Sequence, residues 1–265
     1  MRTLVLARNE VIKIKRRSAF WVAFWAFTGL MALVFGSMRY QSAHPQRVSQ
    51  QTFALPGAWR EILGGPGVMS AFFAAMVLVL LVASEFTWRT ARQNVIDGLS
   101  KEEFFAGKLL LLPAIGLLFF GVLVLVGGGI ALSASHNTVG PLVRGIDAEM
   151  IGGALVGLLG WGALAFLLAV TIRASGPAIG AFFLYFLIEQ ILGQLIARNG
   201  PAAATVTRYF PTEVFKALWQ PASYLAIQRP GQPPSIAPSV LMLASAAYIV
   251  TFLLAAFAVY RRRDL

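Results

Sequence analysis

Apolar residues fall along this chain in long unbroken runs, without the strict alternation of a half-buried strand. Six runs stand out, at about 18–38, 67–84, 104–132, 151–172, 177–197 and 238–260. Each is long enough to cross a hydrocarbon core of roughly 30 Å as a helix. The pattern predicts an all-α polytopic membrane protein, a single domain over 1–265 with six transmembrane helices. The first run follows a basic start like a signal peptide. It is too long for a signal core, and no small-x-small cleavage site follows at "GSMRYQSAHPQ", so it reads as a retained signal-anchor.

The polar stretches between the runs predict further pieces. In residues 1–17, Leu4, Ala7, Val11 and Ile14 share a stripe while Arg8, Lys13, Lys15 and Arg16 fall largely elsewhere. Such a helix suits the headgroup layer, apolar face down and cations toward anionic lipid. Between runs two and three lies "SEFTWRTARQNVIDGLSKEEFFAGK", Ser84 to Lys108, dense in charge. A helix over about 86–97 would stop at Gly98, since glycine enters the left-handed conformation cheaply. Ser100 with Glu103 matches a capping box that starts the next helix. That helix meets Pro113, which demands a local backbone adjustment.

In the fourth run, Gly153 and Gly157 form a GxxxG pair, and Gly176 with Gly180 form another at the start of the fifth. Small residues let helices approach closely in lipid, within one bundle or between subunits. The segment 198–237 carries Pro201, Pro211, Pro221, Pro230, Pro233 and Pro234. Within it "TEVFKALWQ" predicts a short helix capped by Thr212. Tyr209, Phe210, Trp219 and Tyr224 beside it suggest an interfacial element on the outer face, and Trp59 reads as an interface anchor in the loop 39–66.

Composition agrees. The chain is 58% hydrophobic and 12% charged, against about a quarter charged for soluble domains. With no cysteine, disulfides and thiol metal sites are excluded. If the N-terminus is cytoplasmic, fourteen of the 22 lysines and arginines fall in inside segments, and the rest are spread over longer outer loops. The positive-inside rule then places both termini in the cytoplasm. No basic domain exists to carry nucleic acid.

Catalytic constellations are absent from the sequence. His44 and His136 lie in separate loops without a ligand shell. There is no G-x-S-x-G, no Asp-rich helix, and no Walker A loop: "AGKLL" lacks the first glycine and the hydroxyl. Glu189, followed by Gln190 and Gln194, is the one acid deep within a run. It is a functional candidate by depth alone, yet no intramembrane cation faces it in sequence, which favours a hydrogen-bonded structural role.

Glu85, then Thr90-Ala91-Arg92, then Ser100-Lys101, then Gly107-Lys108 before the third span, resembles the permease subunits of type-2 (exporter) ATP-binding-cassette transporters. Six spans, a basic amphipathic start and a large outer loop between spans five and six fit the same plan. The match departs at Ala91, where that family more often has a larger apolar residue. The importer branch's E-A-A motif fits poorly, because Leu112-Pro113 follows Gly107 too soon.

The resemblance implies a non-catalytic membrane subunit with no cofactor of its own. ATP and magnesium would sit on a separate cytoplasmic ATPase chain, and a second permease subunit, the same or related, would complete the assembly. Residues 86–97 would be the coupling helix. Docking would fall to Glu85, Trp88, Arg89, Arg92, Gln93, Asp97, Gly98, Ser100 and Lys101. The expected location is a bacterial inner (plasma) membrane. Two rivals remain: an ion-coupled secondary transporter using Glu189, and a membrane anchor or assembly subunit with no transport of its own. The transported substrate is not legible.

Overall fold

The computed structural model describes residues 2–43, 53–88, 100–135, 140–219 and 236–263. Among them the regular structure is helical. In chain order the helices are α1 (Arg2–Lys15), α2 (Ser18–Ala43), α3 (Ala58–Leu63), α4 (Gly65–Thr87), α5 (Lys101–Leu109), α6 (Leu111–Leu132), α7 (Gly145–Ile172), α8 (Ser175–Ala197), α9 (Pro201–Thr207), α10 (Pro211–Ala217) and α11 (Pro238–Arg262). Among the described residues, six stretches are long and apolar enough to cross a membrane: α2, α3 with α4, α5 with α6, α7, α8 and α11. The chain is a multi-pass membrane protein.

The third crossing is broken where the sequence demands it. Pro113 has no N–H, and its ring clashes with the carbonyl four residues back, that of Leu109. The chain answers by ending α5 at Leu109 and restarting at Leu111. The Leu110 N–H still donates to the Ala106 carbonyl at 3.1 Å, so the crossing stays nearly continuous.

α4 and α7 form the centre. α7 packs most extensively against α11 and α4, while α2 lies against α6. Phe72, Trp161, Phe182 and Phe186 fill the space between α4, α7 and α8 with edge-on and tilted ring contacts. α2, α8 and α11 are peripheral and present apolar residues outward, among them Val22, Leu33, Leu184 and Leu243. That exposure suits hydrocarbon, where an outward leucine costs nothing.

The two ends of the bundle differ. At the α1 face, α1 and α5 meet the ends of α4, α7 and α11. At the α10 face, short helices fold back into the bundle. α3 buries Trp59, Ile62 and Leu63, with the Trp59 indole N–H donating to the Leu142 carbonyl at 2.9 Å. α10 buries Val214 and Phe215 against α7.

This placement corrects the expectation of an outer element lying on the surface: Phe215 and Trp219 are buried and Phe210 is half-buried, while Tyr209 is exposed and Tyr224 lies outside the described residues. Thr212 is also not the cap. Phe210 takes that position and Pro211 the first helical one, where a missing N–H is harmless. α9, also led by a proline, was not foreseen.

Candidate functional site

Among the described residues, the densest polar cluster sits at the α1 face, where the apolar runs stop. Glu85 ends α4 and is buried. Lys108, in the last turn of α5, is buried too. Their charges meet at 2.7 Å, from Lys108 Nζ to Glu85 Oε1. Lys108 Nζ also donates to Glu10 Oε2 of α1 at 2.6 Å. Lys13, one turn along α1, reaches Glu85 at 3.2 Å and Glu10 at 3.4 Å. Arg17 stands 3.9 Å from Glu85 and donates to the Ser84 hydroxyl.

Each element positions its charge for a local reason. α5 starts where the sequence predicts, because Ser100 closes a full capping box. The Glu103 N–H donates to Ser100 Oγ at 3.0 Å, and the Ser100 N–H donates to Glu103 Oε2 at 3.0 Å. That fixed start places Lys108 two turns later on the bundle side. The lysine's stem lies beside Phe104, with Nζ 5.4 Å from the ring centre. α1 turns Glu10, Lys13 and Ile14 toward the bundle at helical spacing, and Arg17 follows at its end. A buried carboxylate needs such cation partners, since an isolated ion would be strongly unfavourable there.

The predicted docking residues are divided by the structure. Glu85 is no surface group: it is the hub of the ion cluster. Trp88 is 64% exposed, with the Arg17 guanidinium 5.0 Å above its ring. Ser100 is exposed as a helix cap, and Lys101 is half-buried beside it. Arg89, Arg92, Gln93, Asp97 and Gly98, and with them most of the expected coupling helix, lie outside the described residues.

Nearby, Arg173 closes α7 in the left-handed conformation at φ 59°, a geometry costing of order 1 kcal/mol for a residue with a side chain. Its carbonyl accepts from the Thr87 hydroxyl at 3.2 Å and its guanidinium lies 5.0 Å over Phe86. Burial, reinforced by the neighbouring Arg263 charge, pulls the Arg173 pKa below its ordinary value.

The second polar locus is at the α10 face. Glu189 is buried, and its Oε1 accepts from the Thr212 backbone N–H at 2.8 Å and from the Thr212 hydroxyl. Gln190 Nε2 donates to Glu213 at 2.8 Å. Gln194 is exposed on α8 and stands apart from this clasp. Beside it, α10 seats in a notch of α7. A methyl on Gly153 would overlap the Leu218 carbonyl, one on Gly157 would lie 2.7 Å from the Phe215 carbonyl, and one on Gly160 would overlap the Phe215 ring. The first GxxxG pair therefore serves packing within the chain. Gly176 and Gly180 are exposed with nothing within 4 Å.

Sequence reasoning missed Glu10, Lys13 and Arg17 as partners of Glu85, and Gly160 as the third notch residue. One signal was available: Glu10 is the sole acid before Glu61. Among the described residues no group of three or more His, Cys, Asp or Glu side chains is placed to hold a metal.

Residues 19–265 match the family described as protein of unknown function (DUF2705). The chain belongs to that family. The match takes in Glu85, Lys108 and the whole α10 clasp but begins just inside α2, leaving α1 outside it. No curated protein matches the chain.

Proposed function

We propose that this chain is the permease subunit of a type-2 ATP-binding-cassette exporter, moved by a separate cytoplasmic ATPase that binds ATP and magnesium. A second permease subunit, identical or related, would complete the membrane part. The proposed site is a bacterial plasma membrane with both termini in the cytoplasm, so that the α1 face looks inward and α1 lies along the headgroup layer.

One observation carries this reading. The Glu85–Lys108 ion pair joins the end of α4 to α5, across the stretch that holds the coupling helix expected at about 86–97. Any push received there enters α4 and α5 together, through a contact that cannot be stretched without separating buried charges. The α4–α7 packing then passes movement into the middle of the bundle. Glu189, by contrast, is occupied in holding α10, which favours a structural role over an ion-coupled transport cycle.

Affinity capture of the tagged chain from its own membranes should bring down an ATPase subunit bearing a Walker A loop. Trp88→Ala with Arg92→Ala should release it, since an interface tryptophan or arginine at a hot spot contributes about 1–4 kcal/mol. Insertion and folding should persist because both positions lie outside the six spans. Undiminished ATPase capture and transport by the double variant would remove docking from this segment.

A further inference from the structure

α1 has two faces of opposite character. Toward the bundle it turns Glu10, Lys13 and Ile14. Away from it are Arg8, Val11, Ile12 and Lys15, and Arg16 just past its end, all exposed. Glu10 is the only acid in the first 60 residues, and it is spent inward on Lys108 and Lys13. Among the described residues, the outward face is therefore cationic and apolar. Water suits Val11 and Ile12 badly, and a protein surface of mixed charge would leave the three cations poorly matched. An anionic headgroup layer over acyl chains answers both.

The neighbouring turn fixes the depth. Trp21, Val22 and Trp25 are exposed on the first turns of α2, and the Trp21 indole N–H donates to the Lys15 carbonyl at 3.0 Å. Tryptophans of this kind gather at the membrane–water boundary. The α1–α2 junction thus lies at headgroup level, where the outward face of α1 meets lipid.

We propose that anionic lipid on the α1 side holds α1 down, and that this contact keeps Glu10 and Lys13 locked onto Lys108 and Glu85. The leaflet's charge then controls how firmly the end of α4 is tied to α5. When α1 lifts, Lys108 loses Glu10 and Glu85 loses Lys13, while the direct Glu85–Lys108 contact stays in place. The inference needs the chain to span a membrane but does not rest on the permease reading, and its test contains no ATPase.

The chain has no native cysteine, so paired nitroxides can be placed cleanly. Ile12→Cys on the outward face and Ala106→Cys on the exposed side of α5 leave every cluster residue intact. The full chain would be reconstituted in nanodiscs of phosphatidylcholine alone, or of phosphatidylcholine with phosphatidylglycerol. With phosphatidylglycerol, one narrow distance and a label at position 12 immersed in lipid are expected. With phosphatidylcholine alone, a second, longer distance should appear. Arg8→Gln with Lys15→Gln and Arg16→Gln should shift the docked-to-lifted ratio by about fivefold per charge removed. The comparison between the two lipids needs no charge substitution, so a poorly folding variant leaves it decisive. Identical distances in both lipids, or a label at position 12 in water with phosphatidylglycerol present, would overturn the proposal.

Discussion

At the α1 face Lys108 stands between two carboxylates, while at the α10 face Phe215 stands on a bare glycine. Both contacts are buried, and both hold a short helix against the bundle. The first is made of long side chains with alternative partners: Glu85 has Lys13, Lys108 and Arg17 within reach. Such a cluster can rearrange and still satisfy its charges. The second is made of shape. α10 fits α7 only in the register that places Leu218, Phe215 and Trp219 over Gly153, Gly157 and Gly160. A close-packed contact of that kind has one arrangement or none. The charges of the α1 face thus have alternative partners within reach, while the α10 contact fits in one register.

The largest expected break is at the charge cluster. Glu85→Ala leaves Lys108 buried with Glu10 as its remaining acid. Stranding a buried charge completely costs about 3–5 kcal/mol, and the Glu10 contact at 2.6 Å keeps the loss at the lower end of that range. Thermal unfolding of the detergent-solubilised variant should show a large fall in midpoint, and Glu85→Gln with Lys108→Met should recover most of it, because no charge is then stranded. If the single variant unfolds like wild type, the cluster is not a supporting contact.

The glycine notch comes next, and it contrasts two kinds of glycine on neighbouring helices. Gly157→Ala or Gly160→Ala should lower stability by about 1–3 kcal/mol, since the added carbon meets the backbone or ring of α10. Gly176→Ala and Gly180→Ala meet open space and should raise the stability of the isolated chain by up to about 1 kcal/mol. Should they instead weaken a dimer seen by cross-linking or native mass measurement, those two glycines are a contact between subunits. Equal effects at all four positions would erase the distinction.

How much of this was legible follows from the physics of each contact. The six crossings are written locally, as runs of apolar residues, and so is the start of α5, where Ser100 and Glu103 satisfy each other over three residues. The break before Pro113 is likewise local. The ion cluster is not: Glu85 and Lys13 are far apart in the chain, and nothing near either names the other. Glu85 and Lys108 did stand out, through a resemblance that marked both without saying that they touch. The re-entrant path of α10 was illegible for another reason. Proline and aromatic residues suit a surface element and a buried one equally, and the deciding partner is a set of glycines in a different helix. Thr212 was misassigned as a cap because the usual signature applies to it, yet its hydroxyl and N–H donate to Glu189.

The smallest expected effect tests that last pairing. At Glu189 only Oε1 engages Thr212, as an acceptor of two hydrogen bonds. A glutamine carbonyl can accept both, so Glu189→Gln should change stability by less than about 1 kcal/mol. Glu189→Ala removes the acceptor and strands the buried Thr212 donors, at about 1–3 kcal/mol. The two variants therefore separate hydrogen bonding from charge. The readout is the unfolding midpoint together with thiol labelling of Val214→Cys, a buried position on α10 that opens only if the clasp lets go. Labelling should stay slow in the glutamine variant and quicken in the alanine variant. If glutamine behaves like alanine in both measurements, the carboxylate's charge is what holds α10 to α8. The α10 face would then depend on electrostatics as the α1 face does, and the contrast between an end held by charge and an end held by shape would fail.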